Sequence, residues 1–386
     1  MQRYDFIIAG GGLAGLSLAY YMNQTALREK SILIIDKDLK DKNDRTWCFW
    51  EKGENCPFES IIRRKWPKVY FHGTDFSQAL DLGEYRYKWL RGIDFYDFVK
   101  ADLAQNPNIR FVQASIERLT DTPDGGFIIT PDEQYLGQWV FDSIKSLKLD
   151  LNGCHNMLQH FKGWEITTEQ PVFEVDCPTM MDYRVPQSGI GVRFMYVLPV
   201  SPTRAMLEYT VFSEQLLRQH EYDSELRSYI EKYIGVKNFT IEEEEFGVIP
   251  MTDEPTPQLV GKHIFRIGTS GGFVKPSSGY AFQRTQRFCQ ALVKDLLTYG
   301  KPRPHSQSLK SKFKLLLDST LLNVLLYHRA SGKDVFTALY KNNPTPLLFS
   351  FLDEDTSIAQ DFRVMSSVSP GPFIVGMLDA LRRRYI

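Results

Sequence analysis

The chain has 386 residues, 43% hydrophobic and 24% charged, enough for a large core in one interleaved domain or two. Its 46 basic and 47 acidic residues give a formal net charge of -1, which argues against a nucleic-acid partner. The five cysteines include no C-x-x-C pair and the seven histidines no H-x-x-x-H spacing, so we expect a reduced, cytoplasmic chain without a bound metal.

The first predicted elements form one β-α-β unit. Residues 4–9 (YDFIIA) are predicted as a buried strand, residues 10–15 as a glycine turn, residues 16–26 as a helix and residues 31–36 (SILIID) as a second buried strand. Residues 6–27 carry no charge and are long enough to resemble a membrane span or a signal peptide. Because glycines interrupt this stretch, strand, turn and helix explain it better.

Beyond this unit, the sequence predicts a charged loop at residues 36–45 and an aromatic segment at 45–51 that returns to the interior. The remaining predicted elements are, in chain order, a helix at 94–105; strands at 109–116, 126–130, 139–141, 159–168, 172–175, 191–198, 205–212 and 264–268; a helix at 279–299; and a mostly helical segment at 308–386. The acidic run at 242–245 is expected to be exposed.

The glycine turn matches G-x-G-x-x-G, the fingerprint of a dinucleotide-binding crossover. Gly10 would allow the tight turn, Gly12 would admit the pyrophosphate, and Gly15 would let helix and strand pack closely. Asp36, at the end of the second strand, would accept hydrogen bonds from the ribose hydroxyls and disfavours a 2′-phosphate. A fingerprint so early in the chain suits FAD. The cofactor-binding residues predicted here are Gly10, Gly12, Leu13, Ala14, Gly15 and Asp36.

A second glycine-rich segment, RIGTSGG at residues 266–272, follows a predicted strand late in the chain. Many flavoproteins place such a segment against the ribityl chain and pyrophosphate of FAD, and in most of them it carries an Asp, which is absent here. Thr269, Gly271 and Gly272 are therefore predicted cofactor contacts. Arg45 is a further predicted cofactor contact, by analogy with the basic residue that reaches the cofactor in related flavoproteins.

Five stretches together resemble the lycopene cyclases of bacterial and plant carotenoid synthesis. They are NDRTWCFWE (43–51), PTMMDYR (178–184), RFMYVLPVSPTRAMLEYTVFS (193–213), EFGVIPM (245–251) and IGTSGGFVKPSSGYAF (267–282). The resemblance implies the α/β fold of FAD-dependent hydroxylases and geranylgeranyl reductases, with a Rossmann-like FAD-binding domain, an antiparallel β-sheet cap domain and a helical C-terminal tail. It also implies ring closure at the ends of lycopene, with reduced FAD as the active form and NAD(P)H only as its reductant.

Ring closure of this kind is an isomerisation, because one proton adds to a terminal double bond, a neighbouring double bond captures the cation, and another proton leaves. The site needs a strong acid in a dry cavity. Glu208, at the position of the family's L-E-x-T motif, is the predicted acid, since an apolar cavity would keep its carboxyl protonated. Asp182 is a second predicted catalytic carboxylate, which would orient the acid or hold a loop.

Aromatic faces near the cation would each add cation–π attraction of about 1 to 2 kcal/mol when desolvated. Core packing is their alternative role. The predicted substrate-binding residues are Trp47, Trp50, Phe273, Pro276 and Tyr280. Of these, Phe273 and Tyr280 are expected to line an elongated apolar cavity that ends near the flavin.

The expected organisation has four segments. They are the first part of the FAD-binding domain at 1–150, a substrate-binding sheet domain at 155–255, the second part of the FAD-binding domain at 256–305 and a helical C-terminal region at 306–386. Because lycopene is insoluble, we expect a cytoplasmic protein that is peripheral at the membrane. Two other functions remain open: a monooxygenase or prenyl reductase of the same fold, and a non-catalytic flavin or carotenoid binder.

Overall fold

The computed structural model describes residues 1–54, 56–144, 149, 151–304 and 308–385, and within these ranges the chain forms eighteen strands and nine α-helices. The strands are β1 Gln2–Ala9, β2 Ile32–Asp36, β3 Thr46–Lys52, β4 Arg64–Trp66, β5 Lys68–Gly73, β6 Phe76–Asp81, β7 Tyr85–Arg91, β8 Ile109–Gln113, β9 Arg118–Thr122, β10 Gly125–Ile129, β11 Gln134–Asp142, β12 Asn156–Thr168, β13 Thr179–Asp182, β14 Val192–Ser201, β15 Arg204–Ser213, β16 Phe239–Thr252, β17 Leu259–Val260 and β18 Ile264–Arg266. The helices are α1 Leu13–Asn23, α2 Gly92–Leu103, α3 Gln219–Tyr229, α4 Phe282–Tyr299, α5 Leu309–Leu326, α6 Gly332–Asn342, α7 Thr345–Leu352, α8 Ile358–Met365 and α9 Pro370–Tyr385.

The first sheet contains the predicted β-α-β unit. Its strand order is β17-β18-β11-β1-β2-β8, and the β9–β10 hairpin extends it from β11. Strand β1 pairs in parallel with β2 and with β11. Ile8 and Ile34 face α1, α2 and α4, whereas Ile7 and Ile35 face the other layer, which includes the hairpin. Because both faces are covered, these strands read as continuous apolar runs in the sequence.

The second sheet has the order β16-β12-β15-β14-β13-β5-β6 and is antiparallel except between β13 and β5. One face packs on α3, where Leu226 and the following Ile230, just beyond the end of the helix, share an apolar cluster with Leu207. The opposite face packs against the small sheet β3-β7-β4 and the C-terminal helices. Strands β5 and β6 precede residue 155, so this sheet extends beyond the segment 155–255. The expected boundary at residue 150 lies outside the described residues.

The C-terminal helices, which agree with the mostly helical segment predicted at 308–386, complete the core on one face of the second sheet. Leu322 and Leu325 of α5 and Phe349 of α7 belong to the same apolar cluster as Phe194 of β14. Helix α9 packs along α5. No helix in the described part of the chain combines the length and apolar character needed to cross a membrane.

Where predicted elements differ from the structure, the local backbone gives the reason in three cases. Residues 172–175 are not a strand, because Val172 and Phe173 donate their backbone N–H groups to Pro202 in the β14–β15 turn instead of pairing along a strand. The strand predicted at 264–268 ends at Arg266, before Gly268 adopts a φ of +65°. The helix predicted from residue 279 begins at Phe282, because Gly279 has a left-handed φ of +70°.

Candidate active site

At each position of the fingerprint the structure shows a different reason for a glycine. Gly10 has a φ of +105°, which favours glycine. A Cβ on Gly15 would collide with the backbone oxygen of Gly10, so the close approach of α1 to β1 requires glycine there. Beside Gly12, no atom lies within 4 Å of the position that a Cβ would take. The geometry thus agrees with the tight turn predicted at Gly10 and the close packing predicted at Gly15, and it leaves open space beside Gly12.

Asp36 closes the turn from the end of β2. Its Oδ2 accepts the Gly11 N–H at 2.5 Å, and its Oδ1 accepts the Asp38 N–H at 2.8 Å. Each carboxylate oxygen has a second lone pair and so retains capacity for a further donor. The first turn of α1 has no side-chain cap, and Gly12 and Leu13 line a cavity, so the N-terminus of this helix offers N–H donors and a partial positive charge there.

The second glycine-rich segment packs directly against this turn. Residues Gly268–Gly271 form a single 3-10 turn after β18, and it ends at Gly272 with a φ of +79°. A Cβ on Gly268 would lie 3.2 Å from the Cβ of Ala14. Thr269 lines the same cavity as Gly12, whereas Gly271 is buried behind it with its carbonyl bound to Gln258 at 3.1 Å.

One cavity joins the first sheet, the second sheet and the segment before α4. It contains about 1490 Å³ of free space, part of which is open to solvent. Its walls combine the two glycine-rich segments, the residues that enter β3, and one face of the second sheet. Its lining includes Gly12, Leu13, Arg45, Thr46, Trp47, Cys48, Tyr87, Tyr196, Glu208, Thr269 and Tyr280.

Glu208 projects into this cavity from the middle of β15. Met206 shares its face of the sheet, while Leu207 and Tyr209 belong to the cluster on the opposite face, under α3. This alternation is the one that an extended strand produces, because successive side chains point to opposite faces of a sheet. The Thr210 hydroxyl, on the cavity face, donates to Oε1 of Glu208 at 2.8 Å. The strand thus presents its acidic side chain to the cavity and its aliphatic ones to the core.

The groups around Glu208 are aromatic or weakly polar. Tyr196 of β14 is its register neighbour, and Tyr87 of β7, Cys48 of β3 and Tyr280 line the cavity beside it. The hydroxyls of Tyr196 and Tyr280 lie 3.5 Å apart. Burial raises the pKa of each of these tyrosines and of the Cys48 thiol, so all four groups are neutral at neutral pH.

The pKa of Glu208 is raised from its ordinary value to about 8, first by burial and then by the charge of Glu245. The single hydrogen bond from Thr210 opposes this shift and is outweighed. Because removal from water disfavours the charged form of a carboxyl, Glu208 retains its proton at neutral pH. The cavity therefore contains a carboxylic acid that can donate a proton.

Glu245 is a second buried acid that the sequence did not reveal. The acidic run 242–245 lies in β16, where alternation exposes Glu244 but turns Glu245 inward with 5% of its surface exposed. The expectation that the whole run is exposed is therefore wrong. Glu245 Oε1 accepts the Thr46 N–H at 2.9 Å, and no hydrogen-bond donor from the described residues reaches its buried Oε2. Burial raises the pKa of Glu245, while the Thr46 bond and the Arg45 charge oppose the rise.

The residues at the start of β3 lie between Glu208 and Glu245 on one side and the glycine turn on the other, along the same cavity. Arg45 is exposed, lines the cavity, and donates to the Asp44 carbonyl at 2.9 Å. Trp47 also lines the cavity, with its ring 5.4 Å from that of Phe95 in an edge-on contact. Both predicted residues are thus at the cavity.

A family model described as lycopene cyclase protein matches residues 5–381. The chain belongs to the lycopene cyclase family. A lycopene beta-cyclase from Pseudescherichia vulneris is 24% identical over 300 residues, which are 75% of this chain and 73% of that protein. A chloroplastic lycopene beta cyclase from Arabidopsis thaliana and a chloroplastic neoxanthin synthase from Solanum tuberosum are each 23% identical, covering 79% and 76% of this chain. The chain spans only 62% and 61% of the length of these two plant relatives.

Solved structures share the fold. A geranylgeranyl bacteriochlorophyll reductase-like protein from Thermoplasma acidophilum aligns over 98% of this chain and 100% of its own, with a TM-score of 0.67 and 13% identity. A flavoprotein/dehydrogenase from Cytophaga hutchinsonii covers 99% of both chains with a TM-score of 0.63 and 11% identity. The fold implied by the resemblance, that of geranylgeranyl reductase-like proteins and flavoprotein monooxygenases, is therefore confirmed.

In this lycopene cyclase family member, three residues predicted to contact substrate lie behind the cavity wall. Phe273 stacks on Phe288 of α4, with ring centroids 4.5 Å apart, because its side chain points into the core of the first sheet. Trp50 stacks on Phe349 at 4.5 Å and supports Tyr280 from behind. Pro276 is half-buried and outside the lining of the cavity. The prediction that Phe273 lines the cavity is wrong, and the one for Tyr280 agrees with the structure.

Asp182 lies apart from Glu208 and Glu245. It pairs in register with Met195, which faces α3, so its side chain lies on the side of the sheet opposite to Glu208. Its carboxylate is fully buried and accepts from the Arg184 guanidinium at 2.5 Å and from the Tyr229 hydroxyl at 2.6 Å. Of the two roles predicted for Asp182, holding the loop that follows β13 fits these contacts, and orienting the acid does not, because Glu208 lies on the other side of the sheet.

A buried ion cluster fixes the segment that carries Tyr280. Lys275 donates to Asp318 of α5 and to Glu354, which follows α7, each at 3.1 Å. The Ser277 hydroxyl donates to the same aspartate at 2.6 Å. Burying a charge is costly unless it is paired, so this cluster ties the Tyr280 segment to the C-terminal helices in one arrangement.

The glycine turn yields a test of folding that needs no ligand. We expect Gly15→Ala to lower the free energy of unfolding by about 1 to 3 kcal/mol or more, because its methyl group collides with the backbone of Gly10. Gly12→Ala should lower it by less than about 1 kcal/mol, since open space surrounds that position. Urea unfolding followed by circular dichroism measures both variants. Equal losses of stability in the two variants would contradict this assignment of the two glycines.

Proposed function

We propose that this chain is a lycopene β-cyclase, an isomerase of carotenoid biosynthesis that converts the acyclic end groups of lycopene into β-ionone rings without net redox change. The observation that carries the proposal is Glu208, an acid with a raised pKa inside a largely aromatic cavity that also reaches the glycine turn. The lycopene beta-cyclases among the relatives support the choice of substrate and ring.

FAD is the proposed cofactor. The solved structures that share this fold include a flavin-dependent brominase. In this chain the free space beside Gly12, the N-terminus of α1, and Thr269 of the second glycine-rich segment all face one cavity, an arrangement that fits a dinucleotide. Arg45 and Asp36 would contact its phosphate or ribose groups. The bound flavin, in its reduced anionic form, would supply negative charge beside the substrate cation, with NAD(P)H serving only to keep it reduced.

The described residues can carry both proton transfers of the isomerisation. Glu208 donates its proton to the terminal double bond of the substrate, so a C–H bond forms as the O–H bond breaks. The ring closes when a neighbouring double bond captures the cation, and the proton then released can restore the O–H bond of Glu208. One proton enters and one leaves, so the product has the composition of lycopene.

Neutral aromatic rings can stabilise the cation that forms between the two proton transfers. Tyr87, Tyr196 and Tyr280 line the cavity beside Glu208, and burial keeps their hydroxyls protonated. Their ring faces attract a cation by about 2 kcal/mol each once water is excluded, and they offer no strong nucleophile to trap it. Trp47 adds a fourth face at the entrance to β3.

The proposed substrate also determines where the protein works. Lycopene partitions into lipid, so a cytoplasmic enzyme would meet it as a peripheral protein at a membrane surface. A monooxygenase or a prenyl reductase of the same fold would differ in consuming one reductant for each product formed.

Glu208→Gln should reduce lycopene cyclisation by about 10²- to 10⁴-fold or more, because the amide preserves shape but has no proton to donate. Flavin content and thermal stability should not change. The matched control is Glu244→Gln. It makes the same chemical change at an exposed position of β16, the strand that carries Glu245. Both variants are assayed with reduced flavin and product is quantified by chromatography. Near wild-type turnover by Glu208→Gln would remove Glu208 from the mechanism.

Cyclisation should require reduced flavin without consuming it. Chemical reduction of the bound flavin under anaerobic conditions should replace NAD(P)H, and many turnovers should follow each reducing equivalent added. The measurement compares moles of ring formed with moles of NAD(P)H oxidised. A ratio fixed at one to one would favour the monooxygenase or reductase alternatives, and full activity with oxidised flavin in air would contradict the role of the reduced form.

A further inference from the structure

Glu208 and Glu245 occupy matched positions on either side of one glycine. In β12, Gly163 pairs with Glu208 of β15 on one side and with Glu245 of β16 on the other. Residues in register across a sheet project from the same face. Because glycine has no side chain, no group of β12 stands between the two carboxyls. The central strand therefore leaves the two acids free to interact directly.

The surroundings of the two carboxyls differ in how well they stabilise a negative charge. Glu245 accepts a backbone N–H from Thr46 at 2.9 Å and lies near the Arg45 guanidinium. Glu208 accepts only the neutral Thr210 hydroxyl among the described residues, at 2.8 Å. Backbone N–H groups and cations stabilise carboxylates. When two acids share a site, the one with this support ionises first and the other keeps its proton.

The remaining groups around the pair do not supply a competing charge to Glu208. Cys48 of β3, Tyr87 of β7, Tyr196 of β14 and Tyr280 face it, and all are neutral at neutral pH for the reasons given above. On the Glu245 side, the Asp44 carboxylate accepts from the Tyr96 hydroxyl at 2.7 Å and from Lys40 at 3.3 Å, and the positive charge of Arg45 is beside it. Within the described residues, Glu245 is the charged group that acts on Glu208.

We propose that Glu245 is a positioning residue for proton transfer, whose ionised carboxylate holds the catalytic proton on Glu208 across Gly163. The inference rests on the proposed role of Glu208 as the acid. Once Glu208 has donated, two like charges would face each other across the glycine. Their repulsion favours return of the proton released from the ring to Glu208, which resets the site.

The test is the pH dependence of cyclisation by the flavin-loaded protein. Wild-type activity should fall as the pH rises through about 8, because the deprotonated form of Glu208 cannot donate. In Glu245→Gln the like charge is absent, so this fall should move to lower pH, by a shift on the order of one pH unit for two coupled carboxyls. Glu245→Asp, which keeps the charge, should return the profile toward that of the wild type. Glu244→Gln, on the exposed face of the same strand, should leave it unchanged.

A second measurement needs neither substrate nor turnover. Infrared spectroscopy detects the C=O stretch of a protonated carboxyl, and the band of Glu208 is assigned by its loss in Glu208→Gln. The pH at which this band disappears should be lower in Glu245→Gln than in the wild type. An unchanged midpoint, or an activity profile of Glu245→Gln that coincides with the wild type, would overturn the inference. So would complete inactivity of Glu245→Gln at every pH, since that would make Glu245 the donor itself.

The two readouts separate failure of this inference from failure of the proposed function. If Glu208→Gln still cyclises lycopene, the proposed acid is wrong, and the infrared midpoint alone decides whether the two carboxyls are coupled. If Glu208→Gln is inactive and the profile of Glu245→Gln does not move, the cyclase proposal stands and the role given to Glu245 is wrong.

Discussion

Desolvation of one carboxyl is the constraint on which the proposed chemistry depends. Protonating an alkene requires an acid that keeps its proton until the substrate arrives, and a glutamate in water has lost its proton at neutral pH. In this chain burial raises the pKa of Glu208, and the charge on Glu245 raises it further. The side chains of Tyr87, Tyr196 and Tyr280 beside this carboxyl limit its contact with water, and strand β15 fixes its direction. The second sheet performs both tasks, because its cavity face carries Glu208 while its other face is sealed by α3.

The site exists only where separate parts of the chain meet. The first sheet supplies the glycine turn, the second sheet supplies both acids, and the small sheet supplies Cys48 and Tyr87. The segment with Tyr280 is held from the far side by Asp318 of the C-terminal helices. The helical tail therefore contributes to the site although the described cavity lining contains no residue from it. In the proposed function, this one space would receive both the dinucleotide and the apolar substrate.

Local signals in the sequence were sufficient for the fold's first unit, because a glycine fingerprint between two apolar runs predicts its own strand, turn and helix. Glu208 was singled out by the resemblance to the lycopene cyclases, since a single Glu in an aliphatic strand does not by itself indicate an acid. Glu245 was hidden because four consecutive acidic residues mask the alternation of the strand that contains them. Asp182 was misplaced because the direction of its side chain depends on strand pairings distant in sequence, such as β5 beside β13. Phe273 was misplaced because it lies outside the strands and helices, and its side chain packs on Phe288 of α4 instead of facing the cavity. The signal that could have found Glu245 is the period of two in residues 239–252.

The measurement that tests the central claim most directly is expression of this chain in a bacterium that accumulates lycopene, followed by chromatography and mass spectrometry of the pigments. The account predicts conversion of lycopene to a cyclic carotene of identical mass, because the proposed reaction adds one proton and removes one. A product that has gained hydrogen or oxygen would contradict it in favour of a reductase or a monooxygenase. Unchanged lycopene, in cells that contain the folded flavin-loaded protein, would contradict it as well.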